Sequence, residues 1–184
     1  YRPSSSSYGA ELSHIHDAGF GDFARNSAPG LLALLGSAGL GGELVVDLGC
    51  GSGLWAAELD RAGHPVVGVD QSAAMIELAR ERVPAGRFQV ASFLDAELPR
   101  CGAVTAQGEV LGYLFDERVG ARSQKTLFRR LFEALRPGGL FLFDYPVPHP
   151  AWPARVFAEG EDWTCTVVRE VDRGGRRLTR QITT

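Results

Sequence analysis

The spacing of apolar positions changes rhythm several times along the 184 residues. Residues 1–7 are rich in Pro and Ser and read as a loose lead-in. Residues 11–25 then carry Leu12, Ile15, Phe20 and Phe23 at spacings compatible with one helix. Pro29 suits the first turn of a second helix that runs through Leu31, Leu32, Leu34 and Leu35 and stops near Gly36 or Gly39. From Glu43 onward, short apolar runs recur at 44–48, 66–69, 88–90, 103–106 and 140–143, with helix-like stretches at 54–62, 73–82 and 124–135. Strands buried on both faces cannot alternate in polarity, so this pattern predicts a parallel sheet with helices on both faces. Right-handed crossovers then make it a doubly wound α/β sheet. After Asp144 the alternation stops. Pro146, Pro148, Pro150 and Pro153 make 145–153 an extended loop. Residues 163–171 and 176–183 alternate like two strands around Asp172-Arg173-Gly174-Gly175, which predicts an accessory β-hairpin.

Composition narrows the setting. Hydrophobic residues make up 45% of the chain and charged residues 22%, as expected of a soluble globular protein of one domain. The net charge is -3, with Lys and Arg spread along the chain, so no basic stripe points to nucleic acid and a small-molecule partner is favoured. Cys50, Cys101 and Cys165 are too scattered for a disulfide framework or a zinc site, which fits a reducing, cytoplasmic location without metal. No apolar stretch approaches the roughly 20 residues of a membrane span, and no secretory signal opens the sequence. The first residue is Tyr1 rather than Met, so the native beginning is expected upstream.

The densest chemistry lies at Asp47-Leu48-Gly49-Cys50-Gly51-Ser52-Gly53, directly after the first apolar run. Glycines here let the backbone turn sharply and let a ligand lie against it. A tight turn without a ligand would look the same. Asp70 closes the second run, where a carboxylate can accept from both hydroxyls of a ribose; it could equally cap the next helix, although Ser72 is also placed to do so. A pyrophosphate cofactor wants G-x-G-x-x-G, whereas here Gly53 comes one residue early and Leu54 follows. Asp47 is awkward beside pyrophosphate but suits a ligand carrying an amino group and a sulfonium. Charge complementarity therefore favours S-adenosylmethionine over NAD.

These residues resemble the first motif of class I S-adenosylmethionine-dependent methyltransferases of the bacterial small-molecule type. Gly68-Val69-Asp70-Gln71-Ser72 with Met75 resembles the second motif, and Leu135-Arg136-Pro137-Gly138-Gly139 resembles the segment leading into strand five. The resemblance implies a Rossmann-like domain over 1–184: an N-terminal helical lid (1–40), a cofactor-binding core (43–145), and the proline loop with its hairpin (146–184). The family's sheet usually ends in two further strands, so C-terminal strands are expected beyond Thr184. By the same resemblance Asp47, Gly49, Cys50, Gly51 and Gly53 border the methionine and ribose, and Asp70 holds the ribose hydroxyls. Gln71 and Met75 lie near the adenine, with Ser92 and Phe93 on its other side. Many family members carry an acidic residue where Ser92 stands. Gln107-Gly108-Glu109 resembles the region after strand four, which implies that Gln107 contacts the cofactor, and falls at the crevice of an open α/β sheet, although it also reads as plain loop.

Methyl transfer from a sulfonium is a direct displacement that leaves S-adenosylhomocysteine, and the protein supplies alignment more than reactive groups. Candidates for a base are Glu109, His149 and His14. Candidates for substrate contact are Tyr8, Tyr145 and Trp152, with Phe20 in the lid. His14 and His16 are spaced like metal ligands but have no further ligands in pattern. Trp152 and Trp163 read equally well as packing residues, and His64 as a surface residue. The acceptor remains open, as do the rival readings of an idle S-adenosylmethionine-binding module and an NAD-dependent oxidoreductase. A homodimer is one assembly such a chain allows.

Overall fold

A computed structural model describes residues 10–113, 116–147, 153–172, 174 and 178–184, with the side chains of residues 10, 11 and 20 outside that set. Strands β1 (Val45–Leu48), β2 (Val66–Asp70), β3 (Arg87–Val90), β4 (Cys101–Ala106) and β5 (Leu135–Phe143) form a parallel sheet in the order β3-β2-β1-β4-β5. β1 and β4 are buried along their whole length, which is why their sequences show no polar alternation. Strand order reverses between β1 and β4, so their carboxyl ends open a crevice between the two halves of the sheet.

The chain also forms helices α1 (Ala10–Phe20), α2 (Asp22–Ser37), α3 (Leu54–Arg61), α4 (Ala73–Arg82) and α5 (Ala121–Ala134). One face of the sheet packs Val45 with Leu35, Trp55 and Ile76 of α2, α3 and α4; the other packs Val46 with Leu127 and Leu131 of α5. The period of two along β1 thus supplies both cores. α4 matches its predicted span because both ends are marked: Ser72 accepts from the Met75 amide as N-cap, and Arg80 and Arg82 occupy the last turn.

The single helix expected over 11–25 is instead two helices that meet at the buried Gly21. Pro29 does not open a helix but sits in the middle of α2. Its missing amide leaves the Arg25 carbonyl without an intrahelical donor. Both residues are exposed, so water can serve that carbonyl, and burial of Ala28 and Leu35 against the sheet holds the helix together.

The accessory element has three antiparallel strands rather than two: β6 (Arg155–Glu159), β7 (Thr164–Val171) and β8 (Leu178–Thr183). It packs on α1, where Ile15, Cys165 and Val167 form a small buried cluster with Val156 and Trp163 against it. A Cβ at Gly19 would come within 2.5 Å of Trp163 Cη2, so Trp163 packs on the backbone of α1. His64, expected at the surface, is buried, with Nδ1 2.9 Å from the Glu43 carbonyl. No helix among the described residues is long and apolar enough to cross a membrane.

Candidate functional site

Gly49, Gly51 and Gly53 all have positive φ, at 68°, 52° and 78°. They do so for two different reasons. A Cβ at Gly49 would run into Val110, and one at Gly53 would meet Ala79 at 3.0 Å, so these two glycines allow close packing. A Cβ at Gly51 would meet nothing within 4 Å and would project into open space. The turn is locked to β2: the Gly51 amide donates to Asp70 Oδ2 at 3.0 Å, and the Ser72 amide donates to Asp70 Oδ1 at 2.9 Å. Burial nevertheless pushes the Asp70 carboxyl upward, against the pull of these backbone donors.

Two cavities meet at this turn. The smaller, about 130 Å³, is lined by Asp70, Gln71, Met75 and Phe93; the larger, about 360 Å³, by Asp47, Cys50, Trp55 and Glu109, with Arg169 and Arg180 from the accessory sheet. Gly49, Gly51, Gln107, Gly108, His16 and Tyr113 line both. Asp47 lies fully buried beneath the turn, where the Thr105 hydroxyl donates to it at 2.7 Å and desolvation pushes its carboxyl up to about 7. Gln107 Oε1 accepts from Ser27 at 3.1 Å, while its Nε2 is buried without a partner. A buried donor left unpaired costs about 1–3 kcal/mol, so this one is suited to a ligand acceptor.

α1 covers the turn and is fastened to it. Asp17 accepts from Ser52 of the turn and from Arg82 Nη2 of α4 at 2.8 Å, and Arg82 also donates to the Ser52 carbonyl. Desolvation works to raise the Asp17 carboxyl, but Arg82 and Ser52 outweigh it and hold the group below the usual carboxylate range. One residue away, His16 faces both cavities. Burial lowers its pKa despite the opposing pull of Asp17 and Asp70, so its imidazole is neutral at neutral pH. On the other side, Glu109 has a left-handed backbone, φ 64°, held by both Asp144 oxygens accepting from its amide at 3.0 and 3.1 Å. A non-glycine residue in that region is strained and commonly marks a functional position. Its carboxylate pairs with Arg180, which also donates to the Tyr113 hydroxyl at 3.1 Å.

The model of the methyltransferase domain family matches residues 45–139, from the first residue of β1 into β5. The chain belongs to the methyltransferase domain family. It is 37% identical over 105 residues to trans-aconitate 2-methyltransferase of Paracidovorax citrulli (strain AAC00-1), a match covering 55% of this chain and 38% of that protein. The chain therefore spans less than half the length of that curated relative. Among solved structures, an S-adenosylmethionine-dependent methyltransferase from Mesorhizobium loti is 29% identical with a TM-score of 0.54, over 84% of this chain and 63% of that one. The CcbJ methyltransferase from Streptomyces caelestis, 24% identical, has the same fold with a TM-score of 0.74 over 98% of this chain and 75% of that one.

Of the cofactor residues that the sequence suggests, Asp47, Gly49, Cys50, Gly51, Asp70, Gln71, Met75, Phe93 and Gln107 come together on the cavity walls. Gly53 does not: it packs α3 against α4. Ser92 lines neither cavity and instead donates to Asp116 at 2.7 Å, and Tyr145 is exposed and lines neither. Of the base candidates, Glu109 lines the larger cavity, whereas His14 points to solvent. Residues two apart on a helix lie on different faces, so the face of α1 that presents His16 cannot also present His14. A signal for this was available, because Leu12, Ile15 and His16 share one face at i, i+3 and i+4, and all three line the larger cavity. His149, Tyr8 and Trp152 lie outside the described residues. Tyr113, Arg169 and Arg180 line the cavities without belonging to any motif, and only the tertiary fold brings them there.

Proposed function

We propose that this chain binds S-adenosylmethionine against the glycine turn and transfers its methyl group to a small-molecule acceptor seated in the larger cavity, leaving S-adenosylhomocysteine. The observation that carries this reading is the meeting of two cavities at Gly51, where no Cβ fills the space. When bound, the cofactor would supply a sulfonium-borne methyl group open to direct displacement.

The residues present suit such a ligand. Asp70 retains free lone pairs for ribose hydroxyls after accepting from two amides. Phe93 and Met75 give the smaller cavity an apolar slot beside Gln71, which suits adenine. Asp47, whose charged form burial disfavours, gains from a cation nearby. Gln107 Nε2 can donate to a carboxylate. α1, fastened to the turn through Asp17, lines the larger cavity with Leu12, Ile15 and His16. His16, neutral and facing both cavities, is placed to accept a proton from an acceptor hydroxyl or amine as the methyl arrives. A relative whose name specifies trans-aconitate supports an acceptor of small-molecule size.

The test uses methyl-labelled S-adenosylmethionine and a panel of small hydroxy, amino and carboxylic acids, following label transfer and S-adenosylhomocysteine release together. The expected result is equimolar transfer to at least one acceptor, abolished in Asp70→Ala. Binding without any transfer would overturn the reading in favour of an idle module, and activity undiminished in Asp70→Ala would overturn the ribose assignment.

A further inference from the structure

Side-chain alternation on β7 and β8 sends Cys165, Val167, Arg169, Arg180 and Ile182 to the face that closes the larger cavity. The antiparallel register sets Val167 opposite Ile182 and Arg169 opposite Arg180. Two guanidinium groups directly across a strand pair repel, and an otherwise apolar face has no structural need for them. Arg180 is neutralised by Glu109 and donates to Tyr113. Arg169 Nη1 donates only to the Pro153 carbonyl at 3.3 Å, and among the described residues no carboxylate lies within ion-pair range of it.

The acidic groups of the same cavity are already engaged. Asp144 accepts from the Glu109 amide, Glu109 pairs with Arg180, and Asp47 lies beneath the turn with Thr105. Among the described residues, the accessory-sheet wall therefore presents one guanidinium without a counter-charge.

We propose that Arg169 anchors a carboxylate of the methyl acceptor, with Arg180 beside it, leaving the acceptor's nucleophile free to reach the junction at His16. A guanidinium fork matches a planar carboxylate with two parallel hydrogen bonds. A phosphate dianion fits less well, because the cavity offers a single unmatched positive charge and is also lined by Glu109 and Asp144. A cavity of about 360 Å³ suits an acceptor of metabolite size. The proposal rests on the methyltransferase reading above.

The test titrates the full chain, saturated with S-adenosylhomocysteine, with a panel of small carboxylic acids, the matched amide of each, and inorganic phosphate. At least one acid is expected to bind about tenfold more tightly than its amide. Arg169→Gln should erase that difference while leaving S-adenosylhomocysteine affinity unchanged. Arg169→Lys, which keeps the charge and loses the fork, should keep part of it. Acids and amides that bind alike, acid affinity unchanged in Arg169→Gln, or phosphate bound in preference to every acid would each overturn the proposal. Failure of the wild-type chain to bind S-adenosylhomocysteine at all would instead overturn the cofactor reading on which it rests. Because cofactor affinity is read on every variant, a misfolded variant shows itself and Arg169→Lys then decides.

Discussion

The Thr105 hydroxyl on β4 donates to the Asp47 carboxylate on β1 at 2.7 Å, and the same oxygen accepts from Trp55 Nε1 of α3 at 3.1 Å. All three residues are buried, so this short chain ties two central strands to the helix that follows the glycine turn. Thr105→Val keeps the shape and removes both bonds, leaving the indole N–H and the carboxylate unpaired. It is expected to cost about 1–3 kcal/mol, measured by urea unfolding, with Thr105→Ser restoring most of the loss.

The Asp47 carboxyl, pushed up to about 7 by burial, also makes stability depend on pH. A carboxyl whose folded pKa lies above its unfolded value favours folding at low pH, and that contribution is lost as pH rises from the ordinary carboxylate range through about 7. Asp47→Asn keeps an acceptor for Thr105 and cannot ionise. Thermal unfolding of the two proteins should therefore show the variant gaining relative to wild type as pH is raised from 4 to 8. A constant difference across that range would show that Asp47 does not titrate there.

Gly51 and Gly53 should separate binding from stability. Gly51→Ala places its Cβ in open space, so it should cost folding only the left-handed backbone strain of about 1–2 kcal/mol while blocking the ligand. Gly53→Ala adds the same strain plus a contact with Ala79 at 3.0 Å, away from both cavities. Thermal shift and titration on the same samples should show affinity falling more than stability in the first, and stability falling more than affinity in the second.

If His16 accepts the acceptor's proton, its lowered pKa sets the acid limb of the rate profile. Turnover is expected to fall only below pH 6.5, the ordinary histidine value, because the folded group protonates below it. His16→Gln should remove that limb and lower kcat by about 100-fold or more. An unchanged profile in the variant would assign the limb to another group.

Much of the frame was legible because the central strands are buried on both faces and the ends of α4 carry their own markers. Pro29 misled because its local preference for a first helical turn was outweighed by burial of Ala28 and Leu35 on either side of it. β6 escaped notice because five residues beside a proline-rich loop carry little alternation, and their strand character comes from pairing with β7. Within the site, glycine spacing and the two aspartates located the turn, yet Gly53 belongs to helix packing and Ser92 to Asp116. Arg169 and Arg180 could be read as strand residues, but their opposition depends on a register set by the hairpin, and the Arg180 pairing with Glu109 joins residues far apart in sequence.

The turn between β1 and α3 is expected to hold a sulfur-bearing nucleoside rather than a dinucleotide. Calorimetric titration of the chain with S-adenosylmethionine, S-adenosylhomocysteine and NAD tests it most directly. Saturable binding of both sulfur compounds with no heat from NAD is the expected result, and NAD binding without either sulfur compound would contradict it.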